Sequence, residues 1–472
     1  MQDEREQKLM FVDGCLQQRE QKFAIRNPFN GAVAGCVSKD IPEDVQTALA
    51  SLKTYDHSLT GEKRSQILRA TAEELLRSKE QFARRISEES GMCIKDSRGE
   101  VDRSYGNLIV AAEEAQRLHG EALQITSKGQ NKVAMTIHEP VGVVCAITPF
   151  NRPLNQVVVK VAPAIAANNS IIIKPSEKTP LSAFAFAELM VRCGLPKNMI
   201  AVVAGDPREI GEGLISSPLV DMVTLTGSVE TGERIMTKVG LKKVTMELGG
   251  NDPLIVLRDA DLQQAAALAA AGAFSNAGQS CRGIKRILVV DEVADCFVKL
   301  LTEAAKKLKL GDIFDPATDM GTLIDEEAAK RVEDRCVQAV KEGAVLVFGG
   351  DRNGASMPPT VLDRVSRTSE LVVRETFGPV APVIRIRDAD DAIELSNATP
   401  FGLQAGVVTR SHDDFVHLAK KLRVGAVNLL EGPQFDSPHI PFGGVKKSGI
   451  GREGIRYAMR EMTTVKTVVM PW

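Results

Sequence analysis

Histidines and long apolar runs are scarce in this 472-residue chain, and each scarcity removes a class of function. The six histidines form no H-x-x-x-H pair and none stands beside a cysteine at zinc-ligand spacing, so no metal site is expected. No stretch of about eighteen apolar residues occurs, which argues against a membrane-spanning helix. The first residues, MQDEREQKLMFVDG, are charged where a secretory signal needs an apolar core, and the expectation is a soluble cytoplasmic protein. Eight cysteines (Cys15, Cys36, Cys93, Cys145, Cys193, Cys281, Cys296, Cys336) are scattered without a C-x-x-C pair, as reduced thiols are. A net charge of -2 offers no broad field for nucleic acid or an anionic membrane. Neither an internal repeat nor a low-complexity linker appears.

What is present is ordinary globular composition, 43% hydrophobic and 25% charged, at a length that asks for two large lobes with a cleft between them. Small molecules are the expected partners. IPEDVQTALASLKTY and KRSQILRATAEELLRSKEQFARRISEESG space apolar residues three and four apart, the pattern of amphipathic helices. From Pro140 short β-rich runs (VGVVCAITPF, SIIIKP, MIAVVAG, MVTLTG) alternate with helix-length segments, and a second such series follows Gly250. Alternation of this kind predicts parallel sheets covered on both faces. EALQITSKGQNKVAMTIHEP and the final MTTVKTVVMPW instead alternate apolar with polar residues, as half-exposed strands do, and such an edge needs covering by another subunit.

VTLTGSVETGERIM runs from a strand through a glycine-bounded turn into a helix, where backbone N–H groups can face a phosphate. Alone, a G-x-x-x-x-G turn is a plain strand-to-helix connection in most proteins. In IIIKPSEKTP, Lys174 and Glu177 lie just past a buried strand, at the edge where an open α/β sheet takes its ligand. Isolated charges there are more often a solvated loop pair.

Taken together, PFNRPLNQVVVKVAPAIAANNSIIIKPSEKTPLSA, TLTGSVETG, MELGGNDP, NAGQSC, ETFGPV, FGLQAGV and PFGGVKKSGIGREG, in that order, resemble the aldehyde dehydrogenase superfamily over nearly the whole chain. The resemblance implies an α/β fold of two Rossmann-like doubly wound lobes plus a small β oligomerisation arm. The NAD-binding lobe is expected at 1–118 and 139–248, the catalytic lobe at 249–455, and the arm at 119–138 and 456–472, giving a homodimer or a dimer of dimers. By the same resemblance Lys174, Ser176 and Glu177 hold the adenosine ribose, Gly227, Ser228 and Gly232 face the pyrophosphate, and Glu375 and Phe377 position the nicotinamide ribose. Thr148, Pro149, Phe150 and Leu248 complete that set. A carboxylate at 177 suits a 2'-hydroxyl and repels a 2'-phosphate, so NAD is expected, with NADP as a weaker cofactor.

The resemblance makes Cys281 the nucleophile, Asn151 with the Cys281 backbone N–H the oxyanion donors, and Glu247 the base that activates water on a thioester. A buried glutamate has its pKa raised, which suits that task. Lys160 and Glu453 match accessory positions, for organising the cofactor site and relaying protons; structural ion pairing is an equal reading of both. Relatives that acylate coenzyme A generally carry an amide where this chain has Glu247, so hydrolysis is expected. A non-catalytic structural member, as among lens proteins, has no need of Cys281 or Glu247.

Arg152 follows the oxyanion asparagine and Arg282 follows the nucleophile, with Gln156 and Arg103 at positions that border the substrate tunnel in the superfamily. Paired guanidinium donors suit an oxyacid group, so a small anionic aldehyde is expected. The likeness is greatest to sulfoacetaldehyde and phosphonoacetaldehyde dehydrogenases. Ser280 stands where phosphonate-handling relatives tend to have a basic residue, which places sulfoacetaldehyde first, phosphonoacetaldehyde second, then succinic semialdehyde or lactaldehyde. A cation beside Cys281 is further expected to favour the thiolate.

Overall fold

The computed structural model describes residues 7–472 other than 9, 18 and 20. Two large sheets carry the chain, and each is mostly parallel, as the alternating strand and helix segments imply. In the first, strands Lys243–Glu247, Met222–Thr226, Val143–Ile147, Ser170–Lys174 and Ile200–Val202 lie side by side in parallel. Successive side chains alternate between its two faces: Ile171 and Ile173 enter one core while Ile172 enters another, and Val144 and Ala146 oppose Val143 and Cys145. This explains why its strands read as continuous apolar runs.

The second sheet runs Val345–Phe348, Thr360–Asp363, Val380–Ile386, Arg286–Val290, Pro253–Val256, Gln404–Val408, Ala426–Leu429, with antiparallel pairing only at its first strand. It has its own core, built on Leu254, Ile287, Leu288, Ile384 and Val407.

Two pieces of the chain cross the expected lobe boundaries. Gly449–Ile450, within the span read as catalytic lobe, pairs antiparallel with Met246 and Glu247 at the edge of the first sheet. Residues 456–462, read as part of the arm, fall in the helix Ile455–Glu461 and the turn after it. Ile455, Met459 and Met462 enter the first core, so this segment belongs to that lobe because its apolar face is buried there. The arm is a three-stranded antiparallel sheet in which Thr463–Pro471 pairs with Gln130–Pro140, and that strand with Ala122–Ser127. Val465 (61% exposed) and Trp472 (81%) lie open on it, beside exposed Leu123, Ile125 and Ile137.

Candidate active site

The alanine-rich helix Leu262–Phe274 delivers the chain into NAGQSC. Asn276, Ala277 and Gly278 then take left-handed backbone angles in succession, φ 51°, 53° and 71°. Two of these are not glycine, and such residues cost about 1–2 kcal/mol each. Side-chain hydrogen bonds hold the turn. Asn276 Nδ2 donates to the Asn151 carbonyl at 2.9 Å. Gln279 Nε2 donates to the Thr322 carbonyl at 3.2 Å, and Gln279 Oε1 accepts from Ile324 N at 2.8 Å. At Gly278 a Cβ would lie 1.9 Å from the Gly378 carbonyl oxygen, so only glycine fits. The amide and small residues around the cysteine are thus the parts of a strained turn that presents Cys281.

Cys281 and Asn151 line two cavities at once. Asn151 Nδ2 gives one hydrogen to the Gln279 carbonyl at 3.0 Å, leaving its other N–H for a ligand, and among the described residues the Cys281 N–H donates to no backbone carbonyl. Glu247 ends the strand Lys243–Glu247, buried, with its carboxyl facing the Cys281 thiol. Burial first, and Glu453 second, push its carboxyl up to about 8.

The Cys281 thiol is held well above its ordinary value, by burial and then by Glu247, while Arg282 draws it down. Arg282 thus acts in the expected direction, toward the thiolate, against the larger effects of desolvation and the Glu247 carboxyl. Lys160 Nζ meets Glu453 Oε1 at 2.6 Å and donates to Thr224 Oγ1 at 3.3 Å, a buried pair. Glu453 also borders the smaller cavity.

The larger cavity, about 640 Å³, is walled by Thr148, Pro149, Phe150, Lys174, Ser176, Glu177, Gly227, Ser228, Glu375 and Phe377. Lys174 and Glu177 stand 3.4 Å apart at one end. Ser228 caps the helix Val229–Met236, accepting from Thr231 N at 3.2 Å, so the positive end of that helix faces the cleft. At the far end Glu375 accepts from Gly250 N at 3.5 Å, and a Cβ on Gly249 would lie 2.6 Å from Glu375 Oε2. Leu214, Ile215, Leu225 and Ile235 give the cleft an apolar wall.

A carboxylate at each end for a ribose diol, a helix N-terminus between them and an apolar slot fit a nicotinamide dinucleotide. A Cβ on Gly232 would come within 2.5 Å of the Leu248 side chain, so this glycine also lets helix and strand touch beside the cleft. The apolar wall and Arg208 escaped the sequence reading because they come from helix faces whose direction is decided by packing. Arg208 is paired to Asp206 at 2.6 Å.

The smaller cavity, about 230 Å³, brings Arg103, Arg152, Gln156 and Arg282 together with Asn151, Cys281 and Glu453. Burial, then Arg152 and Arg282, pull the Arg103 guanidinium down to about 10. Arg282 is ion-paired to Asp436 at 2.9 Å and stacked 5.6 Å above the Phe442 ring. Arg152 donates to the Met92 sulfur at 3.8 Å and faces the buried Glu100 carboxyl. Among the described residues no carboxylate lies within ion-pair distance of Arg103 or Arg152. Among the described residues Gln156 Oε1 and Gln434 Oε1, on the same wall, are buried acceptors without hydrogen-bonding partners. Asp436, Gln434 and Phe442 were missed, since a loop far along the chain carries them.

Among the described residues no helix is long and apolar enough to cross a membrane, and no group of three or more His, Cys, Asp or Glu side chains is placed to hold a metal ion.

Comparison with known proteins gives the same picture. The chain is 40% identical to 3-sulfolactaldehyde dehydrogenase of Priestia aryabhattai over 464 residues, 98% of this chain and 97% of that one. It is 36% identical to sulfoacetaldehyde dehydrogenase of Neptuniibacter caesariensis over 453 residues, covering 95% and 99%. The crystal structure of NADP-dependent glyceraldehyde-3-phosphate dehydrogenase from Bacillus halodurans, complexed with NADP, superposes with a TM-score of 0.96 at 36% identity, covering 98% of this chain and 99% of that one. The sequence pattern of the aldehyde dehydrogenase family matches residues 16–468, and the chain belongs to that family.

Proposed function

We propose that this aldehyde dehydrogenase oxidises a small aldehyde bearing a sulfonate, with sulfoacetaldehyde giving sulfoacetate. The observation that carries the reading is the cavity beside Cys281, where three guanidiniums gather and, among the described residues, two of them have no carboxylate within ion-pair distance, Glu100 being the buried carboxyl that faces them from farther off. Buried cations of this kind are costly unless an anion joins them. One monoanion with three oxygens suits them, because Asp436 already offsets Arg282. The named activities of the two sulfonate-handling relatives support it.

The chain's own residues do the following. The Cys281 sulfur adds to the carbonyl carbon, giving a thiohemiacetal whose oxygen meets Asn151 Nδ2 and the Cys281 N–H. When bound in the larger cleft, a nicotinamide dinucleotide supplies the two-electron oxidation. Glu247 then takes a proton from water as it attacks the Cys281 thioester, and the acid leaves. Lys174 is tied to Glu177 and Arg208 to Asp206, and the Glu177 carboxylate suits a 2'-hydroxyl, which favours NAD over NADP, while Arg234 on the wall of the same cleft leaves room for NADP as a weaker cofactor.

A second reading, 3-sulfolactaldehyde, is favoured by Gln156 Oε1 and Gln434 Oε1. A buried acceptor left unpaired costs about 1–3 kcal/mol. Sulfoacetaldehyde has no hydrogen to donate, whereas a 2-hydroxyl does. Steady-state kinetics with NAD and NADP, without coenzyme A, across sulfoacetaldehyde, 3-sulfolactaldehyde, phosphonoacetaldehyde, succinic semialdehyde and lactaldehyde test both readings. The sulfonates are expected to give the highest kcat/KM; a neutral aldehyde in first place sinks the proposal. If the hydroxyl is read, Gln434→Leu lowers kcat/KM for 3-sulfolactaldehyde about tenfold and leaves sulfoacetaldehyde unchanged or improved.

The exposed apolar face of the arm supports assembly into a dimer or dimer of dimers. Light scattering at micromolar concentration is expected to give one of those masses, and a monomer would remove this assignment.

A further inference from the structure

Lys285 has no part in the steps above, yet its side chain is buried at the base of the site. It stands just before the strand Arg286–Val290, its own N–H donating to the Asp252 carbonyl at 3.0 Å. The ammonium reaches back under the nucleophile turn and donates to the Gly278 carbonyl. It also stands 5.1 Å from the centre of the Phe377 ring. Gly278 touches Gly378, and Phe377 meets Phe150 edge-on at 5.9 Å, next to Asn151. The ammonium therefore sits where the turn 276–278 meets the loop 375–378. Ala277 and Phe377 hold φ 53° and 52° on the two sides of this junction.

A buried ammonium that meets one carbonyl and one ring face is under-compensated. No carboxylate lies within ion-pair distance of it among the described residues; Glu375, Cys281 and Asp252 are the groups that face it. Cys281 is in turn faced by Glu247, Arg282 and Glu375. Arg282, which draws the thiol down, has its charge offset by Asp436 at 2.9 Å, whereas among the described residues Lys285 has no carboxylate that close.

We propose that Lys285 is a positioning residue: anchored on the Gly278 carbonyl, its ammonium fixes the left-handed turn and adds, beside Arg282, a second positive charge near which the Cys281 thiolate forms. The proposal rests on Cys281 as the nucleophile. It is tested on the full chain with Lys285→Met, Lys285→Gln and Arg282→Leu, by alkylation with neutral iodoacetamide from about pH 6 to 10, the modified cysteine being identified by peptide mass spectrometry.

Lys285→Met is expected to raise the pH midpoint for Cys281 alkylation by about one unit, so that alkylation below the midpoint slows roughly tenfold. Arg282→Leu raises it as well, because Arg282 draws the thiol down. If Lys285→Met does not fold, Lys285→Gln, which keeps a donor for the Gly278 carbonyl but no charge, carries the same expectation. A lower melting temperature with an unmoved midpoint in these variants, Cys281 being the residue modified, overturns the proposal alone. Inactivation through a different cysteine overturns the nucleophile assignment instead.

Discussion

Cys281→Ala abolishes NADH formation with every aldehyde, whereas Glu247→Gln still yields a first-turnover burst of NADH and then stalls. The difference follows from where each group acts. Without the thiol no tetrahedral adduct forms and there is nothing to oxidise; without the carboxylate the adduct forms and is oxidised, and only the attack of water on the thioester loses its base. A positioned base contributes about 10²- to 10⁴-fold, so the steady-state rate of Glu247→Gln is expected to fall by that factor while the burst amplitude stays near one per active site.

The pH dependence has a definite sign. Burial and Glu453 push the Glu247 carboxyl up to about 8, and a base works only when deprotonated, so hydrolysis rises with pH through that value. In Glu247→Gln the rise is absent. Rapid mixing with aldehyde and NAD, at several pH values, separates the steps. Undiminished steady-state turnover by Glu247→Gln would remove the base from this residue.

Replacing Arg152 by Leu lowers kcat/KM for sulfoacetaldehyde about ten- to hundredfold and that for propionaldehyde much less. The expected loss is the free energy of one charge-assisted contact, about 1.5 to 3 kcal/mol. Arg103→Leu behaves in the same direction. Arg282→Leu goes further for charged aldehydes, because it leaves the Asp436 carboxylate, now 2.9 Å from that guanidinium, unopposed beside the substrate's anion. Asp436→Asn does the reverse: it releases Arg282, and KM for the sulfonate falls. Kinetics with the charged and neutral aldehydes on all four variants read this out. Equal losses on both substrates would make the arginines structural, and the anionic-substrate reading would fall with them.

Much of this was legible along the chain. Continuous apolar runs such as SIIIK announced strands buried on both faces, and Ile171, Ile172 and Ile173 do enter two different cores. The motif residues Cys281, Asn151 and Glu247 are separated by up to 130 positions and were grouped by resemblance; the fold places Cys281 and Asn151 on both cavities, with Glu247 on the larger. That Gly232 also lets helix and strand touch was not legible, because a glycine with that task and a glycine that lets a phosphate approach look alike in sequence.

Local sequence thus determined which segments are strands, which turns are possible and which side chains carry chemistry, since each of these depends on the period of apolar residues and on backbone angles within a few positions. Only the tertiary structure decided what stands next to the charges. Asp436 lies 154 positions from Arg282 and neutralises it, while Lys285, four positions from Cys281, reaches under the turn to the Gly278 carbonyl and remains without a carboxylate partner. A charge acts over a few ångströms and through the burial around it, and neither is a property of neighbouring letters.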